Sequence, residues 1–236
     1  SCLLLRHNEI MDSYFESIKT LYKIAIPPSI KTIESYAFSS CSSLNQIIIP
    51  SSIILIGEIA FHQCSSLTQL VIPSSITSIE EKAFYNCTAL KQVIFEGPSN
   101  LTTLNKYIFF GCSSLKKIVL PKSLQSIKER AFESCTSLEQ IVIPSQVTVI
   151  FASAFFECIA LKQITFESPS KLTTIKGSAF CRCSSLRQIE IPPSVTSLGA
   201  SIFSRCTALK KITIPASLNV NAQSLALNPE VQIIKI

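Results

Sequence analysis

Apolar positions recur along the chain at a fixed distance. Phe38, Phe61, Phe84, Phe109, Phe132, Phe155, Phe180 and Phe203 each stand three residues before a cysteine, at Cys41, Cys64, Cys87, Cys112, Cys135, Cys158, Cys183 and Cys206. Three residues after each cysteine stands a leucine, from Leu44 to Leu209, and the cysteine intervals are 23, 23, 25, 23, 23, 25 and 23 residues. From each leucine the chain reads L-x-x-I-x-I, usually closed by proline, as in Ile47-Ile48-Ile49-Pro50. Alternation at period two in β-branched residues predicts a strand, and the proline ends its pairing. A second, weaker extended piece, S-I-x-x-I, follows, and the threefold spacing of A-F-x-x-C-x-x-L predicts a helical or 3₁₀ corner.

A unit this short cannot bury its own Phe, Leu and Ile, whereas stacking like on like can. The predicted fold is a repeat solenoid of short parallel strands, one layer per ~4.8 Å. Pro gives way to a longer turn at Glu96-Gly97-Pro98-Ser99-Asn100 and again at Glu167-Ser168-Pro169-Ser170-Lys171, 71 residues on, so the array also repeats in blocks of three units. A backward shift of 23 aligns Phe15 with Phe38 and Leu21 with Leu44, and a forward shift of 22 aligns Leu225 with Phe203, Val231 with Leu209 and Ile236 with Ile214. Ten strand copies follow. The expected organisation is a single solenoid over 1–236, with degenerate units at 1–27 and 216–236 and eight regular units over 28–215. The opening Ser1-Cys2-Leu3-Leu4 falls inside another unit, as in a fragment of a longer array.

Although 47% of the 236 residues are apolar, the longest unbroken runs are far short of the ~20 residues of a membrane-spanning helix. Catalytic side chains are scarce. Asp12 is the one aspartate, and His7 and His62 lie 55 positions apart. There is no Gly-rich phosphate loop, G-x-S-x-G or H-E-x-x-H. No catalytic, cofactor-binding or metal-binding residue is assigned, and the chain reads as no enzyme. The position of His62 holds Ser39, Tyr85, Phe110, Glu133, Phe156, Cys181 and Ser204 in other units, which predicts an exposed turn. The cysteine column admits cross-links between layers, a metal column, or a stack of buried thiols. The buried stack is the expectation, because free Cys is among the most buried residue types and parallel side chains rarely reach disulfide torsions. Cys2 and Cys181 lie off the column.

The run Ile72-Pro73-Ser74-Ser75-Ile76-Thr77-Ser78-Ile79, with Ala83-Phe84-Tyr85-Asn86-Cys87-Thr88-Ala89-Leu90 after it, resembles the BspA-type leucine-rich repeats of bacterial and parasitic-protist surface proteins, trichomonads among them. The likeness spans essentially the whole chain. It implies a leucine-rich-repeat array of ~23-residue units, a cell-surface or secreted location, and a role in adhesion or host-protein binding, without catalytic residues.

A binding face can be drawn from two columns. The outward middle strand position holds Ile48, Val71, Ile94, Val119 and Val142, then Thr165, Glu190 and Thr213. An exposed apolar stripe marks an interaction surface, although β-branched residues also simply suit strands. The two positions after each leucine hold Lys91, Lys116, Lys117, Lys162, Arg187, Lys210 and Lys211 against the single acid Glu139, so they carry +6, the net charge of the whole chain. Such a stripe attracts an anionic partner, or serves solubility alone. The expected partner is an extracellular protein or an anionic glycan. Nucleic acid is disfavoured because no aromatic is interleaved with the lysines. Membrane insertion is not expected, and edge-to-edge self-association through open ends is a further mode. The leading function is a protein- or glycan-binding module of a cell-surface adhesin. Its rivals are a structural spacer displaying another domain and an intracellular scaffold for an acidic protein. Sequons occur at Asn86-Cys87-Thr88 and Asn100-Leu101-Thr102.

Overall fold

A computed structural model describes residues 9–10 and 13–236. Asp12, His7 and Cys2 lie outside the described residues. The chain winds as a parallel β-solenoid with two short strands in each regular turn up to β17, as the repeat predicts. One row, the L-x-x-I-x-I segments, contains ten strands: β2 (Lys23–Ala25), β4 (Gln46–Ile48), β6 (Gln69–Ile72), β8 (Gln92–Phe95), β10 (Lys117–Ile118), β12 (Gln140–Ile143), β14 (Gln163–Phe166), β16 (Gln188–Glu190), β18 (Lys211–Ile214) and β19 (Gln232–Lys235). The second row, the S-I-x-x-I pieces, contains β1 (Glu9–Ile10), β3 (Thr32–Ile33), β5 (Leu55–Ile56), β7 (Ser78–Ile79), β9 (Thr103–Leu104), β11 (Ser126–Ile127), β13 (Val149–Ile150), β15 (Thr174–Ile175) and β17 (Ser197–Leu198). Equivalent residues pair layer to layer, such as Gln69 with Gln92 and Gln140 with Gln163.

The corners differ from the helical or 3₁₀ turns expected from spacing: no helix of either kind forms among the described residues. The backbone hydrogen bonds show why. In the corner of Phe38, the N–H groups of Ala37, Ser39 and Cys41 donate within the turn, to the carbonyls of Glu34, Tyr36 and Phe38. The alternate N–H groups of Tyr36, Phe38 and Ser40 donate instead to Glu58, Ala60 and His62 of the next layer, at 2.9, 2.8 and 2.7 Å. Alternation of this kind requires a left-handed residue on each side of the phenylalanine, here Tyr36 and Ser40, both at φ 58. All eight regular units place positive φ at these two positions. Left-handed non-glycine backbone costs about 1 kcal/mol per residue, and the corner tolerates it because each buried amide finds a partner.

Inside the corner, the phenylalanines stack face to face from Phe15 to Phe203, with centroids 5.0 Å apart at one end and 6.0 Å at the other. The column cysteines are buried free thiols. Each donates its S–H to the phenylalanine carbonyl of the preceding layer, as Cys64 to Phe38 at 3.1 Å and Cys135 to Phe109 at 3.2 Å. Since Phe38 O also accepts from Cys41 N, one carbonyl joins the turn to the next layer.

The N-terminal shift of 23 is seen directly, with Lys23 opposite Gln46 and Phe15 stacked on Phe38. The C-terminal shift of 22 is corrected in the strand, where Ile214 pairs with Lys235 rather than Ile236 and Lys211 with Gln232, a shift of 21. Alternation alone could not fix that register, because Ile233 and Ile234 are both half-buried in β19.

Neither row is continuous. The first row lapses at three junctions, β4 to β6, β10 to β12 and β14 to β16, and the second lapses from β7 to β9, beside the first inserted turn. Where one row lapses the other is paired: β5 with β7, β11 with β13, β15 with β17, and β6 with β8.

Candidate functional site

The outward face of the first row is built by the strand pleat. In β12, Ile141 and Ile143 point to the core, while Gln140 and Val142 face solvent. The two columns singled out in the sequence therefore lie side by side on one surface. All seven basic residues, Lys91, Lys116, Lys117, Lys162, Arg187, Lys210 and Lys211, are exposed. Beside them runs an amide column, Gln46, Gln69, Gln92, Gln140, Gln163, Gln188 and Gln232, also exposed. The aliphatic column is less uniform. Ile48, Val142 and above all Val119, at 68%, are exposed, but Val71 and Ile94 are half-buried.

The charges on this face are largely unpartnered. Lys162 donates to Glu139 at 3.0 Å, and that hydrogen bond, reinforced by Lys116, holds the Glu139 carboxyl below the usual carboxylate range. Among the described residues, the other six basic side chains of the face form no ion pair. Charged groups elsewhere are joined across layers, as in Lys82–Glu58, Lys106–Glu81 and Arg182–Glu157.

The surface is not featureless. A shallow depression lies over β10, β12 and β14, lined by Lys116, Lys117, Glu139, Gln140, Lys162 and Gln163. It continues into a second hollow floored by Val119, Val142 and Thr165 and rimmed by Glu167. Both straddle the junction where the first-row ladder lapses, and β10 is only two residues long there. Composition gave no sign of the depression, since Lys117-Ile118-Val119-Leu120 alternates like its neighbours. Sequence reading also left out Tyr22. It occupies the Asn45 column one layer earlier, accepts the Asn45 N–H at its backbone carbonyl, and is 63% exposed; the shift of 23 places it there.

The expectation of an exposed turn at the His62 position is corrected. Ser39, Glu133 and Cys181 are buried there, and His62 is half-buried, stacked on Tyr85 at 5.1 Å, which itself stacks on Phe110 at 4.5 Å. Burial, and then Lys82, push the His62 pKa down. Among the described residues, no cluster of three or more His, Cys, Asp or Glu is placed to hold a metal ion, and no helix is long and apolar enough to cross a membrane. Asn100 is exposed in the inserted turn, while Asn86 is half-buried in a corner.

The description "BspA type Leucine rich repeat region" matches residues 8–136 and 102–226, in six copies. Among solved structures, a leucine rich cell surface protein from Faecalibacterium prausnitzii is 28% identical, with a TM-score of 0.67 over 96% of this chain and 82% of that one. A leucine-rich repeat protein from Eubacterium ventriosum is 27% identical over 88% of this chain, which spans 48% of its length, with a TM-score of 0.60. A leucine rich repeat protein from T. pallidum is 25% identical over 80% of this chain and 78% of that one, with a TM-score of 0.62. Comparison with curated proteins finds no match.

Proposed function

The chain belongs to the BspA-type leucine-rich repeat family, and on that premise we propose that it is a non-enzymatic binding module of a cell-surface or secreted adhesin. Its strand face takes a protein or an anionic glycan. One observation carries the reading: six exposed basic side chains lie on one face with no acidic partner among the described residues, beside exposed aliphatic ones. A row of like charges one layer apart costs repulsion that an anionic ligand relieves, and exposed Val119 and Val142 supply apolar area that water does not favour. That a related protein is described as a leucine rich cell surface protein supports the location.

The test is binding to immobilised sulfated glycans and matrix proteins across a salt series. The expected result is retention that weakens as salt rises and disappears in a variant carrying Lys116→Glu, Lys162→Glu and Lys210→Glu. Equal retention of both proteins removes the face from the account. No retention of either leaves the lysines as a solubility device, with the array a spacer.

A further inference from the structure

The residue that directly follows each second-row strand forms another column, away from the strand face. After the seven second-row strands β3 to β15 it reads, in layer order, Glu34, Gly57, Glu80, Asn105, Lys128, Phe151 and Lys176, and Gly199 follows β17. Backbone bonds hold it in register: the N–H groups of Gly57, Glu80, Lys128, Phe151 and Lys176 donate to the last strand residue of the layer before, at 2.7 to 2.9 Å. At the lapse between β7 and β9, the side-chain amide of Asn105 makes the equivalent bond to Ile79 O, at 2.8 Å.

Read backwards, this column is its own complement. Reversal about Asn105 sets Glu34 against Lys176, Glu80 against Lys128, and the buried Gly57 against Phe151. Phe151 is a built feature, with Lys128 and Lys176 over its ring at 4.3 and 4.5 Å from the centroid. None of the four charged residues belongs to an ion pair among the described residues, whereas Glu58 and Glu81 beside them are paired within the chain, with Lys82 and Lys106. The second-row strands agree with the same reversal: half-buried Leu55 falls opposite Val149, and Ser78 opposite Ser126.

We propose that this edge is the isologous interface of an antiparallel dimer of the chain, in which Lys128 and Lys176 of one protomer pair with Glu80 and Glu34 of its partner, twice about a two-fold axis at Asn105. A two-fold interface demands self-complementarity under reversal, and a column with acids in one half and bases in the other has it. The contact extends over six layer steps, about 29 Å at the strand spacing. In the same packing Glu81 faces Glu129, a repulsion blunted by the hold of Lys106 on Glu81.

Charge reversal tests this by analytical ultracentrifugation at low salt. Wild type is expected to sediment as a dimer that dissociates as salt rises. The variant Glu34→Lys, Glu80→Lys and the variant Lys128→Glu, Lys176→Glu are each expected to be monomeric, with dimerisation weakened about a hundredfold by four lost and reversed pairs. Mixed in equal amounts, the two variants regain complementarity and form a heterodimer, which also shows that both are folded. A wild type that stays monomeric at low salt, a dimer indifferent to both variants, or a mixture that remains monomeric would each overturn the proposal.

Discussion

Glu133 is the side chain most at odds with its surroundings. It is 8% exposed, it sits in the corner column between Phe110 and Phe156, and its Oε2 accepts no hydrogen bond although Arg130 Nε lies 3.5 Å away. Burial raises its pKa above the ordinary 4.5, Arg130 opposes the shift and Glu157 adds to it. A raised carboxyl favours folding when it is protonated, so its contribution is complete below the ordinary value and is lost as the pH climbs through the folded one. Glu133→Gln is therefore expected to stabilise the protein by about 1 kcal/mol at neutral pH, and by nothing once both states are protonated. Urea denaturation from acid to neutral pH reads this directly; a variant less stable than wild type at neutral pH would show that Arg130 dominates.

At the scale of the element, the corner decides which residues the array tolerates. Successive corners approach so closely that a Cβ on Gly199 would lie 2.3 Å from the Gly177 backbone nitrogen and 2.7 Å from the Lys176 carbonyl carbon. Nothing flexible stands there to give way. Gly199→Ala is expected to cost about 1–3 kcal/mol, the usual penalty of overpacking, seen as a lower denaturation midpoint; an unchanged midpoint would mean that layers part freely at that corner. Strands and layer order were legible in the sequence because period two and the 23-residue interval each follow from one geometric constraint, the pleat and the stack. The corner was misread for a physical reason. Spacings of three at Phe38, Cys41 and Leu44 suit a helical turn, but the partners of alternate amides lie a layer away, at Glu58, Ala60 and His62, and no local pattern encodes them. The candidate face was legible as columns of charge, since facing residues alternate, whereas its depression lies over a lapse in backbone pairing that side-chain identity does not report.

For the molecule as a whole, the thiol column couples stability to alkali. Burial pushes the folded pKa of Cys41 up to about 11 and that of Cys206 up to about 12, from an ordinary 9.0, and drives the more deeply buried thiols up as well. The folded chain thus keeps protons that the unfolded chain releases. Stability is full below the ordinary thiol pKa and falls above it, by about 1.4 kcal/mol per pH unit for each thiol. Eight thiols falling together predict cooperative unfolding within about two pH units of that value. A Cys87→Ser, Cys112→Ser, Cys135→Ser variant retains donors that do not ionise and is expected to unfold at higher pH, followed by circular dichroism; coincident alkaline transitions would refute the coupling.

The lapses in the two strand rows have a mechanical meaning. They are offset, like the vertical joints of a brick wall: at no junction between two complete layers do both rows come apart together. A crack opened along one joint runs into intact backbone bonding within the same course, and the corner amides cross every course besides. Tension along the axis must then break hydrogen bonds wherever it acts, so an array of small, nearly identical bricks resists pulling as one body and has no preplaced plane of cleavage.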